Sequence, residues 1–180
     1  MKAMCVLILL TSGTAMLTDL RTGRIPNTLI VTAALAGLAG QIASVGAMGI
    51  LHFLAGASIP ALLLVPLFRF RMMGAGDIKL LMVLGGMIGF PEVLDLCLWS
   101  FVAGGIVAIC KMVFVTGVKE RLLYLLRYVR DTGRSRKIVP YRKPGRRPEN
   151  FPFAVPVFAA AVLVVGKYAH IFRYNTWRLL

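Results

Sequence analysis

Two aspartates stand where an apolar chain least readily carries them. Asp19 closes the first apolar run, in Asp19-Leu20-Arg21-Thr22-Gly23-Arg24-Ile25-Pro26-Asn27, and Asp77 ends Gly74-Ala75-Gly76-Asp77 at the head of another. Only seven of the 180 residues are acidic, and a carboxylate at membrane depth is costly unless it is paired or functional. Two carboxylates sharing a site cannot both ionise readily, so one keeps its proton. The ionised member can take a proton from water while the protonated member donates to the carbonyl oxygen of a scissile peptide. Such chemistry calls for no metal and no cofactor, and neither is expected. Gly74 and Gly76 would let a substrate backbone come close to Asp77. Arg21, Arg24 and Lys79 are candidates to tune the pair, and Lys79 serves equally well as an interfacial anchor with its stem along apolar surface.

Each aspartate also has a plainer reading. Asp77, just ahead of an apolar helix and after two glycines, suits an N-cap in an ordinary turn. Asp19 suits an interfacial partner of Arg21 or Arg24. The conjunction is less ordinary, because Pro26 follows one carboxylate and a Gly-x-Gly turn precedes the other. Among the remaining acids, Glu92 and Asp95 fall at the opposite membrane face by charge count, and Glu120 and Asp131 lie among basic side chains. Glu149, just before the last apolar block, is a third candidate behind the pair.

The elements that must position these residues are membrane helices. Hydrophobic residues make up 58% of the chain and its mean hydropathy is +0.80, too apolar for a soluble domain. The apolar residues form blocks at about 3–18, 28–46, 49–68, 78–91, 93–116 and 151–169, against the ~20 residues that a span needs. The fold class expected is all-α, a polytopic membrane protein of about six transmembrane helices in a single domain, 1–180. The fourth block is short, which suggests that Asp77 is recessed below the headgroup plane beside a water-filled cavity. Pro60 and Pro66 are expected to kink the third block. Small residues such as Ala34, Gly37, Gly40, Gly85, Gly86 and Gly104 permit close helix approach.

A net charge of +14 and a pI near 10.6 are usual flags for nucleic-acid binding. Here the charge gathers at alternate junctions: Arg21 and Arg24, then Arg69, Arg71 and Lys79, then eleven Lys and Arg in 117–150. The second and fourth junctions have none, the alternation that six spans require when basic loops face the cytoplasm. No nucleic-acid partner is expected. Asp19 and Asp77 then share the cytoplasmic face, and both chain ends face outside. Lys167, Arg173 and Arg178 are the exception to this count. The start of the chain, with one lysine before its apolar run and two arginines after, reads as a retained span rather than a signal peptide. Within 117–150, residues 118–130 suit an amphipathic helix on the membrane surface, and 131–150 suit a basic loop held by anionic lipid. Cys5, Cys97 and Cys110 form no CxxC pair and read as reduced structural thiols. His52 and His170 have no carboxylate spaced to complete a metal site.

Asp19-x5-Ile25-Pro26-Asn27 together with Gly74-Ala75-Gly76-Asp77-Ile78-Lys79 resembles the type IV prepilin peptidases, membrane aspartic proteases of the GxGD class. Leu80, Leu81 and Gly85-Gly86 resemble the stretch after the second aspartate there, and Phe151-Pro152-Phe153-Ala154 resembles the entry to the last span. The resemblance implies removal of a short basic leader from prepilin-like precursors at the cytoplasmic membrane face. It makes Asp19 and Asp77 the catalytic residues, with Ile25, Pro26 and Asn27 in the first motif and Gly74, Gly76 and Lys79 in the second. The larger members carry an N-terminal insert with paired cysteines and methylate the new N-terminus. This chain lacks that insert, and resembles the short form of tight-adherence and Flp-type pilus systems or of archaeal preflagellin processing. The 117–150 region is longer and more basic than such a minimal form implies. Two rivals stay open at this point: another GxGD intramembrane protease, although Thr18-Asp19 is not the Tyr-Asp of that group, and a transporter using the aspartates as proton or cation sites, although no internal repeat is evident. A structural subunit of a secretion apparatus is a third.

Overall fold

The computed structural model describes residues 2–69, 73–111 and 152–176. These form six helices and no strand: α1 (Lys2–Thr22), α2 (Asn27–Val45), α3 (Met48–Arg69), α4 (Ala75–Ile88), α5 (Glu92–Lys111) and α6 (Ala154–Thr176). Each of the six apolar blocks therefore carries a helix among its described residues. Four of the helices are long and apolar enough to cross a membrane: Ala3–Thr22, Asn27–Val45, Met48–Arg69 and Glu92–Cys110. The amphipathic helix expected at 118–130, the basic loop and Glu149 lie outside the described residues. The chain divides into two compact units, one of Met1–Gly104 with Pro152–Leu180 and one of Gly105–Phe151. The first unit holds both aspartates; of the second only the end of α5 is described.

Helix α4 is the centre of the first unit. Its 14 residues span about 21 Å at 1.5 Å per residue, and α1, α2 and α3 all pack against it. Past Asp77 and Lys79 in its first turns the helix carries no polar side chain, and Leu80, Leu81, Val83, Leu84 and Met87 are all buried. A helix apolar all round belongs inside a bundle or a membrane, and this one is enclosed by its neighbours. The outer helices are the reverse of a soluble protein. Leu62 of α3 is 76% exposed and Leu35 of α2 63%. Such broad apolar exposure fits lipid as the surrounding solvent.

Where lipid bathes the outside, apolar transfer drives little helix association, and close van der Waals fit takes over. Glycines make that fit here. A Cβ on Gly56 of α3 would run into the Gly85 carbonyl of α4. One on Gly86 would lie 2.8 Å from the Phe53 ring, and one on Gly37 would lie 2.7 Å from Met87 Cγ. At the far end of α4 the Gln41 amide donates to the carbonyls of Gly86 (3.2 Å) and Met87 (2.9 Å). Those oxygens lie beyond the helix's own bonding pattern and need an outside donor.

Two boundaries differ from the apolar blocks in ways that matter for the site. Helix α1 runs on to Thr22, so Asp19 lies inside its last turn rather than in a junction. Apolar pattern marks membrane depth, whereas backbone bonding continues until a residue stops it. Gly23 does so here, with φ +65° and its N–H on the Asp19 carbonyl at 2.8 Å, an αL cap that suits glycine. Helix α4 starts earlier than its block, at Ala75 with Gly74 as the N-cap residue. Asp77 is thus the third helical residue and not the cap. Helix α3 runs through both Pro60 and Pro66.

Candidate active site

Four chain segments meet at one end of the first unit: the end of α1, the start of α2, the start of α4 and the start of α6. Asp77 sits in the first turn of α4, where a negative charge meets the positive end of the helix dipole. The Gly74 N–H donates towards its carboxylate. A third-position acid facing the N-cap N–H has the arrangement of one half of a capping box. A Cβ added to Gly74 would lie 3.1 Å from Asp77 Oδ2, which shows how closely the backbone wraps the acid.

Asp19 is held differently. At the C-terminal turn of α1 its charge faces the negative end of its own helix, an unfavourable place. The compensation comes from α6, whose first residue donates: Ala154 N–H to Asp19 Oδ2 at 3.4 Å. One of the unpaired donors at that helix start is thereby satisfied. Among the described residues Asp19 forms no ion pair with Arg21 or Arg24. The Asp19 charge is felt at Asp77. Both side chains are half-buried rather than sealed, which leaves a path for water.

The two motifs also touch away from the acids. Ile25 packs on Gly76, where an added Cβ would lie 3.4 Å from Ile25 Cβ. Lys79 Nζ donates to Asn27 Oδ1 at 3.1 Å. Pro26, with φ −63° and ψ 136°, is the residue preceding α2, and its carbonyl accepts from the Ile30 N–H. The turn between α1 and α2 is closed by the Thr22 hydroxyl, within 2.8 Å of the Thr18 carbonyl and 3.0 Å of the Arg24 carbonyl.

A family model described as the type IV leader peptidase family matches residues 4–109, more than half of the chain. The chain belongs to the type IV leader peptidase family. It is therefore a protease, and its apolar helices make it a multi-pass membrane protein. No curated protein and no solved structure gives a match. The matched stretch contains Asp19, Asp77 and all six supporting motif residues of this peptidase, while the Ala154 contact lies beyond it.

Of the other acids, Asp95 pairs with Lys167 at 2.6 Å and Glu92 opens α5. Both follow the C-terminus of α4, away from Asp77. The participants that motif reading missed are backbone groups. The Ala154 N–H carries no side-chain signature, although Phe153-Ala154 reads as the entry to a span. Gln41 had a fainter signal, as the one amide in a run from Leu29 to Val45 whose other polar residues are the hydroxyls Thr32 and Ser44.

Proposed function

We propose that this peptidase is an aspartic endopeptidase that removes the leader from prepilin-like precursors at the cytoplasmic face of the cell membrane, with Asp19 and Asp77 as its catalytic pair. The observation that carries the reading is that the two motifs touch at one end of the first unit, Ile25 on Gly76 and Lys79 on Asn27, with the Asp19 charge felt at Asp77. They are also the two acids of the motifs within the family match. In the proposed reaction one proton is shared by the pair, and its location is a property of both groups. The ionised carboxylate accepts a proton from water as the water oxygen bonds to the scissile carbonyl carbon. The other carboxyl gives its proton to the carbonyl oxygen, forming a neutral tetrahedral intermediate. As the C–N bond breaks, the protonated carboxyl gives its proton to the leaving amine while the other carboxylate takes a hydroxyl proton from the re-forming C=O, and the pair is restored. No covalent enzyme intermediate forms. Gly74, exposed and without a side chain, gives a substrate backbone room beside Asp77, whereas Gly76 is covered by Ile25.

The test is Asp19→Asn and Asp77→Asn, each co-expressed with a precursor carrying a basic leader ahead of an apolar helix. Cleavage is followed by gel mobility. Positioned proton transfer contributes about 10²–10⁴-fold, so each variant is expected to lose at least ~100-fold in rate at wild-type abundance. Wild-type processing by either variant rejects the dyad. Processing retained in both supports a structural or transport role for the aspartates. Glu149→Gln is expected to leave processing intact in the same assay.

A further inference from the structure

Asp19 and Asp77 belong to different helices, and no bond within either helix fixes the distance between them. The packing of α1 on α4 and the Ala154 N–H on Asp19 set the coarse distance, and the links between the end of α1 and the start of α4 refine it. Asp19 is followed by the closed turn at Thr22 and Gly23, which leads directly into Ile25, Pro26 and Asn27. This segment is fastened to α4 at two points, Ile25 on Gly76 and Asn27 on Lys79. The two α4 residues flank Asp77 in sequence. Ile25 and Gly76 supply shape, and the Lys79–Asn27 bond supplies direction.

We infer that Lys79 and Asn27 act as one positioning unit, a latch that holds the Asp19 side of the site in register with Asp77. This rests on the aspartyl-pair reading and goes beyond it by giving Lys79 a role through Asn27 rather than through its charge on the carboxylates. Both side chains are exposed, so the bond adds little to global stability. Its effect falls on geometry, and displacement of reacting groups by about 1 Å can cost up to ~100-fold in rate. Acting on geometry alone, the latch is expected to leave substrate binding unchanged.

The experiment is a double-mutant cycle on the full-length protein in detergent micelles. The probe is a synthetic precursor of basic leader plus apolar helix, with kcat and KM measured separately and Asp77→Asn as a reference. Asn27→Ala, which changes no charge, is expected to lower kcat about tenfold with KM and the shape of the pH profile unchanged. Lys79→Met is expected to lower kcat by a similar factor, and the double variant to be no worse than either single one. Lys79→Arg should restore activity in the wild-type background but not with Ala at position 27. Additive losses, a KM effect, or wild-type kcat in Asn27→Ala overturn the latch while an inactive Asp77→Asn leaves the aspartyl pair standing. Wild-type cleavage by Asp77→Asn overturns both. Thermal unfolding of each variant separates lost geometry from lost fold: a fall in kcat accompanied by a matching loss of folded protein counts against the latch.

Discussion

At the scale of single residues, Asp19 shows how a fold can hold a charge where its own helix resists it. The C-terminal turn of α1 disfavours an anion by about 0.3–1 kcal/mol, and the start of α6 offsets this with the Ala154 N–H. Ala154 is fully buried, so no water is at hand to replace its partner. Two substitutions separate this structural duty from the proposed chemical one. Asn at position 19 keeps an acceptor for the N–H and removes the carboxylate, whereas Leu removes both. Both variants are expected to be inactive. Only Asp19→Leu should lose stability, by about 1–3 kcal/mol for an orphaned buried donor, read as a lower melting temperature in detergent. Equal melting of the two would show that the α6 contact contributes nothing to holding the fold.

At the scale of helices, the α3–α4 crossing depends on a glycine pair that face each other without side chains. A methyl group on Gly56 would meet the Gly85 carbonyl, which is backbone and cannot rotate away. Gly56→Ala is therefore expected to destabilise by about 1–3 kcal/mol, the usual cost of overpacking. It should also reduce cleavage, since α4 carries Asp77. Gly166→Ala in α6 is the control: nothing lies within 4 Å of its added methyl, and alanine's better helix propensity is worth up to ~1 kcal/mol. A thermal aggregation assay on detergent-solubilised protein should move in opposite directions for the two. This crossing also marks the limit of what the sequence made legible. The apolar blocks foretold all six described helices, and the two motifs read from the sequence touch in the structure, at Ile25 and Gly76 and at Asn27 and Lys79. Gly85 and Gly86 were readable as packing residues, but Gly56 was not, because a glycine in an apolar run does not announce its partner. The early start of α4 and the late end of α1 were hidden for a related reason. Hydropathy reports where a chain meets lipid, while a helix ends where a cap or a glycine ends its hydrogen bonds.

At the scale of the whole molecule, the question is which side of the membrane the site faces. Within the first unit the α1–α2 turn and the starts of α4 and α6 share one end, with Arg21 and Arg24 there. Gln41, Met48 and the start of α5 belong to the other. Lys167 counts against a cytoplasmic assignment of the site end, as a basic residue at the opposite face. Its ion pair with Asp95 does not take it out of the count, since acidic residues contribute little to this rule, but Arg21, Arg24, Arg69 and Lys79 at the site end stand against it. The charge bias that remains favours the site end in the cytoplasm. Single-cysteine labelling decides the matter in a background with Cys5, Cys97 and Cys110 replaced. Arg24→Cys reports on the site end and Met48→Cys on the other, both positions being exposed. A membrane-impermeant maleimide added to intact cells is expected to label Met48→Cys and to reach Arg24→Cys only after permeabilisation. The reverse pattern would put the aspartates outside, where a precursor whose leader has not yet crossed the membrane could not meet them.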